Sequence, residues 1–140
     1  MSPDAQILAS AGPYAVNTHH LATPERFSYE GFDAWTAVVS LFHDHDWEPP
    51  ILRKALASAC FYIGALGSRR THAARLERLR QAGCGDGDLD RIHGPVGLHI
   101  GALSPPEIAL SVLAQVIQVL RRGESSLPAV VPLHDIASGS

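Results

Sequence analysis

Residues 61–70 read FYIGALGSRR, and they hold the residue types with which this chain could do chemistry. An apolar, partly aromatic run ends in Gly64. The short glycine loop Ala65, Leu66 and Gly67 follows, and Ser68 opens a helical pattern whose first turn carries Arg69 and Arg70. In a strand, glycine loop, helix arrangement, backbone N–H groups and the positive end of the helix dipole can hold an anion. Cations in a first helical turn oppose that dipole, at a cost of a few tenths to about 1 kcal/mol each. Two arginines there are accounted for if an anion such as a phosphate lies within reach of their guanidinium forks. The alternative is that Gly64 and Gly67 only permit a tight turn while the arginines meet surface carboxylates. The motif does not decide between them: it is neither a GxGxxG fingerprint nor a P-loop, since no lysine follows Gly67.

A second polar cluster, His43-Asp44-His45-Asp46, follows another apolar run. His43 and His45 could bind a metal, but no second Cys/His cluster completes a set, and a solvated loop is the better reading. Asp44 could instead bond a ligand hydroxyl, as acids near strand ends do in dinucleotide folds. If the two strands are neighbours, His43 and Asp44 share one crevice with the glycine loop. Nucleophilic catalysis has little support. Cys60 falls in an apolar run, where cysteine is an inert hydrophobe, Cys84 lies between glycines, and Ser68 reads as a helix cap. His72 sits one turn into the arginine-rich helix, close to the anion loop. His99 lies in a glycine-rich stretch.

Positioning these residues requires a βαβ unit. Thr36 to Phe42 is apolar and β-branched, which predicts a strand buried on both faces. Glu48 to Ser58 predicts a helix with Pro49 and Pro50 in its first turn, and Ala59 to Ile63 a second, parallel strand. Ser68 to Ala82 predicts an amphipathic helix with Ala73, Leu76, Leu79 and Ala82 as its apolar stripe. Asp86 to His93 predicts a short helix capped by Asp86. Gly94 to Leu103 predicts a third strand or a strand-like loop. Ser104-Pro105-Pro106-Glu107 is a capping box that opens a helix running to Arg122. That helix is apolar around most of its circumference, which predicts burial on more than one side and a subunit interface. Before residue 33 the pattern gives only a short strand at Tyr14–Val16 and a turn at Thr23–Arg26. Residues 124–140 read as a flexible tail.

The 140 residues suit one domain. A formal net charge of −3 argues against a general nucleic-acid binder. No stretch approaches the ~20 apolar residues that span a bilayer. With two distant cysteines and no signal-peptide pattern, the reading is a cytoplasmic protein with reduced thiols.

Three stretches together resemble one family: ATPERF (22–27), FYIGALGSRRTHAARLERL (61–79) and RIHGPVGLHIGALSPPEIALSVLAQVI (91–117). They are similar to the C-terminal Rossmann-like domain of the XdhC/CoxI family, accessory proteins of xanthine dehydrogenase and related molybdenum hydroxylases. The resemblance covers about residues 20–122. It implies an α/β, truncated Rossmann-like three-layer fold with a short, mostly parallel sheet. The domain would occupy residues 21–122, between a poorly defined segment (1–20) and the tail (123–140). It further implies a homodimer that binds molybdopterin, or molybdenum cofactor, and helps deliver it to a client molybdenum hydroxylase such as xanthine dehydrogenase. Molybdopterin carries a phosphate, which fits the anion reading of residues 64–70. Two departures stand out: no GxGxxG loop precedes Tyr14, and His99 occupies a position where the family commonly has aspartate. The leading expectation is an accessory binding protein rather than an enzyme. The alternatives are an enzyme or sensor binding NAD(P) or a flavin nucleotide, and a dimeric scaffold without ligand.

Overall fold

A computed structural model of the chain describes residues 32–42 and 46–122. The expected elements before residue 32, the residues His43, Asp44 and His45, and the tail beyond Arg122 lie outside the described residues.

Three parallel strands form the sheet in the order β1 (Ala37–Ser40), β2 (Tyr62–Ala65), β3 (Ile92–His93). β1 and β2 pair with Ala37 opposite Tyr62 and Ser40 opposite Ala65, and β2 and β3 with Ile63 opposite Ile92. The helices are α1 (Glu48–Ala57), α2 (Arg69–Gln81), α3 (Asp86–Leu89) and α4 (Pro105–Arg122).

β2 organises the layers. Side chains alternate faces along a strand. Ile63 and Ala65 join Leu52, Ala55 and Leu56 of α1, Leu79 of α2, Leu89 of α3 and Ile92 in one buried cluster. Tyr62 and Gly64 face the other way, toward α4 and the loop before it: the Tyr62 hydroxyl donates to Gln115 Oε1 at 2.7 Å. The sheet therefore lies between α1–α3 on one side and α4 on the other, the three-layer Rossmann-like arrangement expected.

Several local expectations hold. Ser68 caps α2. In the capping box of α4, Glu107 Oε1 accepts from the N–H groups of Leu103 and Ser104, each at 2.9 Å. Others are corrected. β2 begins later than expected and runs through Gly64 and Ala65, because its ladder with β1 starts at Tyr62. β1 is not buried on both faces: it is the edge of the described sheet, and Val39 stays 37% exposed. All four residues of β2, the central strand, are buried instead. α3 stops at Leu89 and its N-cap is Gly85. The third strand is Ile92–His93, and residues 94–103 are irregular, because only Ile92 and His93 find partners on β2. The stripe of α2 also differs. Ala73 and Ala82 are exposed, and Arg75 and Leu79 are its buried residues.

Candidate functional site

The chain leaves β2 at Ala65 and enters α2 through Leu66, Gly67 and Ser68. Gly67 has φ +137°, and a Cβ there would lie 2.9 Å from Thr71 Cγ2. Glycine is needed on both counts. Ser68 Oγ accepts the N–H of Thr71 at 3.1 Å. Helix geometry leaves the N–H groups at the start of α2, those of Arg69 and Arg70, without intrahelical carbonyls, and the dipole makes this end positive.

The facing wall is the loop between β3 and α4, tied down from two sides. The Val96 N–H donates to Ala65 O at 3.1 Å and the Leu98 N–H to Ser111 O at 3.0 Å. Gln115 spans the Gly97 residue: its Oε1 accepts from Gly97 N–H at 3.0 Å, and its Nε2 donates to Gly97 O at 3.4 Å. Gly97 has φ +101°, and a Cβ would stand 2.4 Å from Ser111 Oγ. Tyr62, whose hydroxyl shares Gln115 Oε1, stacks on His93 with ring centroids 4.8 Å apart. Burial pushes the Tyr62 phenol up to about 12, so it remains a donor at any physiological pH.

Between these walls lies a cleft of about 540 Å³, lined by Leu66, Gly67 and Arg69 on one side and by residues 94–102, Ile108 and Ser111 on the other. It sits at the carboxyl ends of β2 and β3, where ligands bind in open α/β sheets, and its size is that of a small-molecule site.

A buried polar network holds the first wall in place. Arg75 donates through Nε to Glu48 Oε1 and through Nη2 to the Leu66 carbonyl. Ser40 Oγ donates to Glu48 Oε2 at 3.2 Å. Arg75 Nη1 lies 2.9 Å from His72 Nδ1. A guanidinium only donates, so Nδ1 accepts and the His72 ring carries its proton on Nε2. Burial, and then the Arg75 charge, hold His72 below the usual histidine range, with Glu48 acting in the opposite sense. The ring packs against Gly94, where a Cβ would come within 2.1 Å of Nδ1. Both walls thus meet at His72.

The sequence-derived residues separate into groups. Leu66, Gly67 and Arg69 line the cleft, and Ser68 organises the turn. Gly64 and Ala65 are buried within β2. A Cβ on Gly64 would collide with Val96 and Tyr62, and the Ala65 carbonyl receives the Val96 N–H. Arg70 is exposed and is not among the cleft residues. His43 and Asp44 lie outside the described residues; Phe42 and Trp47, on either side of that loop, stack at 6.4 Å. His99 is exposed and lines the cleft.

Sequence reasoning missed the supports Ser40, Glu48, Arg75 and Gln115. A stricter helical reading of α2 would have found one of them. His72, Arg75, Leu76 and Leu79 follow the i, i+3, i+4, i+7 spacing of a packed face, and Arg75 lies in the middle of it. Among the described residues, no three His, Cys, Asp or Glu side chains could hold a metal. Neither Cys60 nor Cys84 lines the cleft. Arg69 and the N–H groups at the start of α2 fit the phosphate end of a molybdopterin-type ligand. The cleft residues provide no thiol for sulfur transfer.

The profile of the XdhC Rossmann domain matches residues 4–116, starting earlier than the motif resemblance. The chain is 41% identical over 98 residues to the molybdenum cofactor insertion chaperone PaoD of Escherichia coli, covering 69% of this chain and 31% of that protein. It is 36% identical over 102 residues to a Bacillus subtilis protein named as a probable xanthine dehydrogenase component, covering 72% of this chain and 29% of the relative. A crystal structure described as a xanthine dehydrogenase from Bacillus halodurans superposes with a TM-score of 0.58 at 32% identity, covering 75% of this chain and 30% of that one. The chain spans about a third of the length of each of these relatives.

Proposed function

Since the chain belongs to the XdhC family through this Rossmann domain, we propose that it is an accessory protein for molybdenum hydroxylases of the xanthine dehydrogenase type, holding molybdenum cofactor for insertion into its client. One observation carries this reading: the cleft at the carboxyl ends of β2 and β3 places Arg69 and the start of α2 on one wall and a backbone-rich loop on the other. The phosphate of a molybdopterin would meet Arg69 and the free N–H groups of the first helical turn. The loop wall, held by Gln115 and Ser111, would meet the heterocycle. That a related protein is named a molybdenum cofactor insertion chaperone supports the same role. No step of bond making by this chain is needed, so it acts as a binding protein rather than an enzyme. It works in the cytoplasm, beside a client that incorporates the cofactor. Among the described residues no helix is long and apolar enough to cross a membrane. Self-association is part of the proposal, supported by the exposed apolar face of α4.

A thermal-shift screen of the chain against molybdenum cofactor, NADP, flavin nucleotides and inorganic phosphate tests the ligand. Saturation near a hundred times the dissociation constant adds about 2.7 kcal/mol to the folded state. The expected result is a shift with the pterin cofactor larger than with phosphate alone. A shift with NADP or a flavin and none with the pterin would replace the cofactor reading with nucleotide binding. No shift with any of them would leave only a scaffold.

A further inference from the structure

The peptide between Leu66 and Gly67 is held in one orientation. Leu66 turns both of its backbone groups toward the end of β1: its N–H donates to Ser40 O at 2.9 Å, and its carbonyl accepts from Arg75 Nη2. Ala65 O faces the opposite way, to the Val96 N–H at 3.1 Å. The peptide joining Leu66 to Gly67 is trans, and a planar trans peptide sets its C=O and N–H antiparallel. The Gly67 N–H therefore points away from Arg75 and toward the Val96 loop, across the cleft that Gly67 lines. Among the described residues, none accepts this N–H.

We propose that Arg75 is a positioning residue for anion binding in the cleft: by holding the Leu66 carbonyl it presents the Gly67 N–H to the same anion that meets Arg69. The inference rests on the phosphate reading of the cleft given above. Gly67 adopts backbone angles closed to other residues, φ +137° among them, so the glycine itself does not keep this peptide from turning over. Turned over, the peptide would aim a carbonyl oxygen at the anion in place of an N–H. A guanidinium suits the task because it donates in several directions at once and keeps its charge. Nε serves Glu48, Nη2 serves Leu66, and Nη1 meets His72 Nδ1 at 2.9 Å, which together fix its plane. Arg75 is itself buried and does not line the cleft, so its effect on a ligand passes through this peptide.

Titration of the isotope-labelled chain with inorganic phosphate, followed amide by amide by NMR, tests this. In the parent, the Gly67 and Arg69 N–H signals should move together. Arg75→Lys should abolish the Gly67 shift and raise the dissociation constant for phosphate at least roughly tenfold, because the ammonium pairs with Glu48 and leaves the Leu66 carbonyl free. The double variant Glu48→Leu, Arg75→Met, which leaves no unpaired buried charge, should do the same. Leu89→Ala, a core truncation in α3 outside the cleft, should lower stability yet keep both the shift and the affinity. A Gly67 shift and an affinity unchanged in both Arg75 variants overturn the positioning role. An equal loss in Leu89→Ala also overturns it, since Arg75 would then act through stability alone. If phosphate moves the parent's Arg69 N–H and leaves Gly67 still, this inference fails and the phosphate reading stands. If it moves neither, both fail.

Discussion

Arg75 of α2 donates to Glu48 in the first turn of α1, and both side chains are buried, at 3% and 9% exposure. The pair does more than join two helices. The same guanidinium holds the Leu66 carbonyl, and the same carboxylate holds the Ser40 hydroxyl. The ends of β1 and β2 and the start of the cleft loop are thereby fixed to one charge pair.

Arg75→Met should lower stability by about 3–5 kcal/mol, because it leaves the Glu48 carboxylate buried without a counter-charge. Chemical denaturation reads this directly. Arg75→Lys should recover only part of the loss, since an ammonium lacks the fork that serves Glu48 and Leu66 together. The double change Glu48→Leu, Arg75→Met should be less destabilised than Arg75→Met alone, because no unpaired charge remains. If the single and double variants are equally unstable, the pair is not the cause.

The two arginines in the first turn of α2 should separate in a binding assay. Arg69→Ala removes a guanidinium from the cleft wall and should weaken a phosphate-bearing ligand by about 1.5–3 kcal/mol, roughly ten- to a hundredfold. Arg70→Ala should cost much less. Calorimetric titration with molybdenum cofactor checks the ranking, and equal losses from both would move the anion away from the cleft.

Stability should fall as the pH drops below about 6.5. His72 and His93 are both held below the usual histidine value, chiefly by burial, with Arg75 adding to the first and Arg122 to the second. Between that usual value and the lowered ones, the unfolded chain binds protons that the folded chain refuses, so acid favours unfolding. Above the usual value neither state is protonated and the effect vanishes. His72→Asn keeps an acceptor for Arg75 without titrating, and His93→Phe keeps the stack on Tyr62. The double variant should show a flatter urea midpoint between pH 7.5 and 5.5 (roughly the span over which histidine titrates).

Two glycine substitutions should have opposite signs. Gly97→Ala forces a side chain into a φ of +101° and against Ser111 Oγ, and should cost about 1–3 kcal/mol. Gly87→Ala, inside α3 with nothing within 4 Å of the new Cβ, should be neutral or stabilise by up to about 1 kcal/mol. Thermal unfolding of the two proteins distinguishes a strained loop from a general intolerance of alanine.

The sequence by itself determined what short-range physics controls. Ser104 and Glu107 lie within one helical turn of each other, so their capping box is complete in the sequence, as is the Ser68 cap of α2. The glycine loop between strand and helix was legible for the same reason, and its motif carried the family. Tertiary structure decided the rest. The limits of β2 and the two-residue β3 are set by ladder partners about 25 to 30 residues away in the chain, and no local pattern encodes a pairing register. Arg75 looked like one more surface arginine, because its burial depends on Glu48, 27 residues earlier, arriving at the same point. Gly97 and Gln115, 18 residues apart, become partners only when α4 packs on β2. A buried charge or a strained glycine is stable only through the group placed against it, and that placement is made by the fold.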